Sequence, residues 1–144
     1  EAKITLIGIQ DTPGVASKIF NPLAEANVNV DMIVQNITDN GKLTSLTFTV
    51  NNEECDKAVD RLKSSNVNFK KIHIDKKICK VSIIGVGMKS HVGVANTMFE
   101  TLANNNINIQ VISTSEIKIS VLISKENKKK ALVELHKSYG LDKN

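Results

Sequence analysis

The sequence predicts an α+β chain made of two copies of one small unit, each an antiparallel β-sheet with two helices on one face. Three observations predict this. The chain repeats itself at a spacing of 77 to 79 residues. Both copies run through short β-branched stretches and amphipathic stretches in the same order. The composition, 41% hydrophobic and 24% charged over 144 residues, suits a globule of one ordinary domain or two small ones.

The repeat is read directly. Residues 4–16 are ITLIGIQDTPGVA and residues 81–95 are VSIIGVGMKSHVGVA. Gly8 matches Gly85; after a two-residue insertion Gly14 matches Gly93 and Ala16 matches Ala95. The match continues through Phe20/Phe99, Leu23/Leu102, Asn27/Asn106, Asn29/Asn108 and Ile33/Ile112. This spacing is too long for a solenoid repeat and fits two small domains, 1–77 and 78–144.

In the first copy, Ile4 to Ile9 is a β-branched strand closed by Gln10-Asp11-Thr12-Pro13-Gly14. A helix follows to about Ala26, with Ala16, Ile19, Phe20, Leu23 and Ala24 forming one apolar stripe. Pro22 interrupts that stripe and should bend or loosen a turn. Asn29 to Asn36 reads as a strand, and Thr38 to Lys42 as a hairpin loop with Asn40-Gly41 at its tip. Leu43 to Val50 alternates as a strand. Asn51 or Asn52 is placed to cap a helix carrying Cys55, Ala58, Val59 and Leu62. Val67 to Ile74 is the last strand. The order βαββαβ is the ferredoxin-like plan.

The second copy has a strand at Val81 to Val86 and a helix from Val92 to Asn104. Strands Asn108 to Ser113 and Ile117 to Ile123 follow, then a helix from Glu126 to Tyr139. It offers no fourth strand. The open edge is expected to pair with a strand from upstream of Glu1 or with another chain.

Composition excludes several functions. A single arginine, Arg61, among 18 lysines and five aromatics in all argue against nucleic-acid recognition. No run approaches a membrane span and no leader opens the chain. Cys55 and Cys79 lack a CxxC partner and read as buried thiols, with a disulfide or metal pair as the other reading; this points to a reducing cytosol. His73, His91 and His136 have no ligand spacing. No nucleophile, phosphate-loop or Rossmann pattern occurs. Lys128-Lys129-Lys130 reads as a solvated face or as an electrostatic patch.

Two features suit a small polar ligand. Each copy's first loop enters a helix at a glycine, Gly14 or Gly93, where unpaired N–H groups favour an anion; the other reading is a plain turn. Polar residues collect on or after each second strand: Asp31, Gln35 and Asn36, then Asn108, Gln110, Thr114, Ser115 and Glu116. They are either ligand contacts or solvated strand ends.

The segments ITLIGIQDTPGVASKIF, NVNVDMIVQN, KVSIIGVGMKSHVGVANTMFETL and NINIQVISTSEIKISVLI resemble the tandem ACT domains of aspartokinases, from Ile4 to Leu141. The resemblance implies a regulatory region that binds threonine, lysine or both as feedback inhibitors. It also implies pairing with the ACT region of another chain, and it leaves ATP and Mg²⁺ to a separate kinase domain. One effector site would use Asp11, Gly14, Val15, Ala16 and Gln35, facing Asn108 and Ile109. The equivalent site would use Met88, Ser90, His91, Gly93, Val94, Ser115 and Glu116. No catalytic residue and no metal ligand are expected in this chain. A tandem ACT sensor acting on another enzyme is the alternative.

Overall fold

The computed structural model describes residues 1–37, 41–85 and 91–140. The chain divides into two compact units, Glu1–Lys76 and Lys77–Asn144. The first contains β1 (Ala2–Gln10), α1 (Val15–Glu25), β2 (Ile33–Ile37), β3 (Leu43–Val50), α2 (Cys55–Ser64) and β4 (Lys71–Asp75). The sheet order is β2-β3-β1-β4 with every neighbour antiparallel. Along β1 the buried residues are Ala2, Ile4, Leu6 and Ile9; Ile4 pairs with Phe48 and Leu6 with Leu46. Paired residues share a face. That face meets Ile19 and Leu23 of α1 and Cys55, Ala58, Val59 and Leu62 of α2. Phe20 packs edge-on against Phe48, 5.4 Å between ring centres.

Three local features depart from the sequence expectations. The strand expected from Asn29 begins only at Ile33: the Asp31 N–H donates to the Thr49 carbonyl and the Thr49 N–H to the Met32 carbonyl, so two residues oppose one, and the spare Met32 N–H donates to Thr49 Oγ1 at 3.0 Å. The side-chain cap expected from Asn51 or Asn52 does not form. A 3₁₀ turn, Asn52–Glu54, leads into α2, the Glu54 N–H donates to the Asn51 carbonyl, and Asn52 Oδ1 is buried without a partner. The last strand starts at Lys71 rather than Val67; Val67 and Phe69 instead pack on the core from an irregular stretch. Helix α1 runs unbroken through Pro22. Of the expected hairpin loop, Thr38 to Asn40 lie outside the described residues; Gly41 has φ +68°.

The second unit contains β5 (Ile78–Ile84), α3 (His91–Asn104), β6 (Val111–Thr114), β7 (Lys118–Ser124) and α4 (Lys128–Ser138). Its antiparallel sheet has the order β5-β7-β6, the same arrangement as β1-β3-β2. Strand β5 begins and ends earlier than the expected Val81 to Val86, and Val86 lies outside the described residues. Strand β6 begins at Val111, not Asn108. The final helix opens with a 3₁₀ turn, Lys125–Asn127. Val81, Met98, Leu102, Ile119, Val121, Ala131 and Leu135 form the core.

Both first helices end the same way. Asn27 and Asn106 have φ of 60° and 57°. Val28 N–H donates to Leu23 carbonyl and Asn27 N–H to Ala24 carbonyl; Ile107 and Asn106 repeat this with Leu102 and Ala103. Asparagine tolerates the left-handed conformation that this cap requires, which explains the matched pair in the sequence. Hydroxyl pairs are also duplicated: Thr5 with Thr47 at 3.1 Å and Ser82 with Ser120 at 2.7 Å.

Among the described residues, β5 has no strand on its outer side. A groove of about 350 Å³ opens there, lined by Val81, Ile83 and Ile84 of β5, Val94 of α3, Leu132 of α4 and Tyr139 just after it. Both cysteines are free and buried, and burial pushes the Cys55 thiol above its usual range. No described group of side chains could hold a metal ion, and no described helix is long and apolar enough to cross a membrane.

Tyr139 bolts α4 to α3: its hydroxyl donates to the Val94 carbonyl, beside a Thr101–Ser138 hydroxyl bond of 2.7 Å. Burial raises the phenol above its ordinary value of 10.0, so the fold favours the neutral form. Stability from this group is complete below that value and is lost as pH rises through the raised one. Tyr139→Phe should cost about 0.5–1.5 kcal/mol at neutral pH. Urea titrations should also show a shallower alkaline loss of stability in the variant than in the parent.

Candidate functional site

A bulge in β1 determines where the first loop's side chains point. Up to Ile7, even-numbered residues face the helices. The pairing then slips, with Ile7 opposite Ser45 and Ile9 opposite Thr44. Gly8 takes up the extra residue with φ +79°, and a Cβ there would lie 2.5 Å from Lys70 Cγ. After the bulge the phase is reversed: Ile9 is buried and Gln10 exposed. Asp11 continues the ladder, its N–H donating to the Lys42 carbonyl at 3.0 Å, so its side chain turns to the helix side of the sheet. Gln35 of β2 pairs with the core residue Leu46 and faces the same side. The two meet: Gln35 Nε2 donates to Asp11 Oδ1 at 3.5 Å.

The start of α1 lies just beyond Asp11. Gly14 is its N-cap, with φ +87° and no side-chain cap. Nothing lies within 4 Å of a Cβ built there, so this position needs the conformation and not the space. Val15 N–H donates to the Thr12 carbonyl. The first-turn N–H groups of Ala16 and Ser17 have no intrahelical acceptor. One carboxylate and one amide thus meet, and a bare helix start follows the carboxylate closely in the chain. The set can receive an ammonium at Asp11 and a carboxylate at the helix N–H groups.

The structure therefore brings Asp11 and Gln35 into contact, while Gly14, Val15 and Ala16 follow Asp11 at the start of α1. Asn108 and Ile109 belong to the second unit, in the stretch ahead of β6; Asn108 is exposed and Ile109 packs on that unit's core. In the second loop, Met88 and Ser90 lie outside the described residues and His91 is the first residue of α3. The Gly93 carbonyl accepts from Thr97 Oγ1 at 3.1 Å, and the Val94 carbonyl accepts from Tyr139. Ser115 and Glu116 are exposed in the β6–β7 turn, where Ser115 N–H donates to the Lys118 carbonyl at 2.7 Å. Sequence reading missed Asn66 and Asn68. With Gln10, Thr12 and Lys18 they line a polar hollow of about 100 Å³ beside the first loop. Only the fold brings this α2–β4 connection next to a loop 50 residues earlier, so no local signal marked it.

The ACT domain family matches the chain twice, over residues 4–65 and 81–139. A chain in the crystal structure of aspartokinase alpha and beta subunits is 43% identical. It superposes with a TM-score of 0.85, over 96% of this chain and 92% of that one. The chain belongs to the ACT-domain family of aspartokinase regulatory regions. The ligand-free regulatory subunit of aspartate kinase from Thermus thermophilus, 37% identical, superposes on it with a TM-score of 0.87 over 96% of this chain and 91% of that one. An aspartokinase of Pseudomonas aeruginosa strain PAO1 is 50% identical over 144 residues, 99% of this chain. The chain spans 35% of that relative's length. Two ferredoxin-like ACT units in tandem are the architecture the sequence predicts.

Gly8→Ala combines a left-handed φ with a clash against Lys70 and should destabilise the first unit by about 1–3 kcal/mol. If the bulge sets the phase, the Gln35 side-chain amide resonances should shift in the same variant. Unchanged resonances would show that Asp11 is placed by something else.

Proposed function

We propose that this chain senses an amino acid and transmits its binding to an aspartokinase catalytic domain as feedback inhibition. The observation that carries this reading is the contact between Asp11 and Gln35 beside the uncapped start of α1. A free amino acid presents an ammonium, a carboxylate and a side chain. Asp11 takes the first, the N–H groups of Ala16 and Ser17 the second, and Gln35 a hydroxyl or amine on the third. Asn108 and Ile109 of a facing ACT unit close the pocket. The equivalent second site uses Met88, Ser90, His91, Gly93, Val94, Ser115 and Glu116. Threonine is the favoured effector, from the amides of Gln35 and Asn108; lysine is the competitor.

A ligand held between two units tightens their pairing, and pairing tightens the ligand by the same factor, typically about 1–3 kcal/mol. The working form is a homodimer paired through ACT units. The kinase domain, elsewhere in the enzyme, phosphorylates L-aspartate from ATP with Mg²⁺. The open edge of the second unit is the place for a further strand. In the first unit β4 pairs with Lys3–Ile7. The matched stretch of β5 is Lys80–Ile84, the edge left open beside the groove.

Calorimetric titration with threonine and with lysine tests the effector. Gln35→Ala should weaken the favoured amino acid by about 1–3 kcal/mol, the cost of leaving its polar partner unmet. Ala16→Val should weaken it through crowding. If Gln35→Ala binds both amino acids as tightly as the parent, the site is wrongly drawn. The isolated chain should form no aspartyl phosphate from ATP and aspartate; formation by pure protein would overturn the division of labour.

A further inference from the structure

The two units differ most sharply where their second helices begin. The 3₁₀ turn and first helical residues of unit one, 52–57, carry Glu53, Glu54 and Asp56 against one lysine. The matched stretch of unit two, 125–130, carries Lys125, Lys128, Lys129 and Lys130 against Glu126. The buried framework is the same in both: Ala58 matches Ala131 and Leu62 matches Leu135, all buried. Only the solvent side has inverted.

The inversion runs against helix electrostatics. A helix start carries partial positive charge and is stabilised by carboxylates, as at α2. Three successive lysines there are mutually repulsive and oppose that field. The first turn of α4 has no acidic residue. Among the described residues, no carboxylate pairs with Lys125, Lys128, Lys129 or Lys130, and all four are exposed. One turn on, at i+4 from Lys129, Val133 is 45% exposed where unit one has the carboxylate Asp60. The cluster therefore costs helix stability, and it stands beside an exposed valine where unit one has a carboxylate.

We infer that Lys125, Lys128, Lys129, Lys130 and Val133 form a docking surface for a carboxylate-rich protein surface with an apolar centre. The chemistry favours carboxylates over phosphates: the cluster is all lysine, with no arginine fork for bidentate phosphate contacts and no aromatic for base stacking. Val133, even with the exposed Leu132 next to it, is too little apolar surface to hold a membrane. The surface belongs to the second unit and the Asp11–Gln35 contact to the first, and the inference does not depend on which amino acid binds.

The test uses the full chain with labelled probes: a 20-residue polyglutamate, a peptide alternating glutamate and leucine, a 20-base-pair DNA duplex, and phosphatidylserine vesicles. Reversal at Lys128→Glu, Lys129→Glu and Lys130→Glu should weaken both acidic peptides by about tenfold or more. Reversal of Lys57, Lys63 and Lys71, the same change in net charge, should alter binding by less than about twofold. The α4 reversal should also raise the thermal midpoint, because acids suit the helix start, so lost binding cannot come from unfolding. If it lowers the midpoint, the glutamine triple variant takes its place. Val133→Ser should weaken the glutamate–leucine peptide and leave polyglutamate unchanged. Equal losses from the two reversals, no effect of Val133→Ser, or DNA or vesicles binding as tightly as the peptides would each overturn the proposal.

Discussion

The slip in β1 at Gly8 is the constraint on which the first unit's chemistry depends. A strand turns alternate residues to opposite faces, so an unbroken β1 would send Asp11 to the side away from the helices. One glycine, tolerating a left-handed φ with the Lys70 stem laid against it, reverses that alternation. Ile9 enters the core and Asp11 comes within reach of Gln35. The residue that shapes the site therefore does not touch it, and its contribution is a change of phase and not a contact.

Much of the architecture was legible because the chain writes it twice. Ile19 and Leu23, or Met98 and Leu102, repeat a helical period that only one buried face satisfies. The matched asparagines at 27 and 106 were visible as identity, but their reason, a left-handed cap, emerges only from the backbone. The errors fall where an irregular pairing or a turn replaces the regular one. Thr49 bonds to both Asp31 and Met32, and that two-against-one step delays β2. A 3₁₀ turn satisfies the start of α2 with a main-chain carbonyl, leaving no role for an asparagine cap. These are contacts between residues distant in sequence, or choices between two acceptable local solutions, and periodicity carries no information on either.

The candidate site was legible in part for the same reason. Glycine before a helix and polar residues along an edge strand are local signals, and the fold brings Asp11 and Gln35 into contact. Asn66 and Asn68 reach the neighbouring hollow through the α2–β4 connection, which no pattern in residues 4–16 announces. Duplication also misleads, since it copies frameworks more faithfully than surfaces. Ala58 and Ala131 occupy the same buried position while the residues around them differ in sign of charge.

Pro22 has a consequence for how order spreads through α1. It has no N–H, so the Lys18 carbonyl lacks the donor that an unbroken helical ladder would supply. The residues beyond it are anchored independently, by Leu23 in the core and by the Val28 cap onto the Leu23 carbonyl. The helix thus remains one continuous coil with a single gap in its ladder, and that gap, rather than either end, is where the coil has least main-chain support to hold it closed.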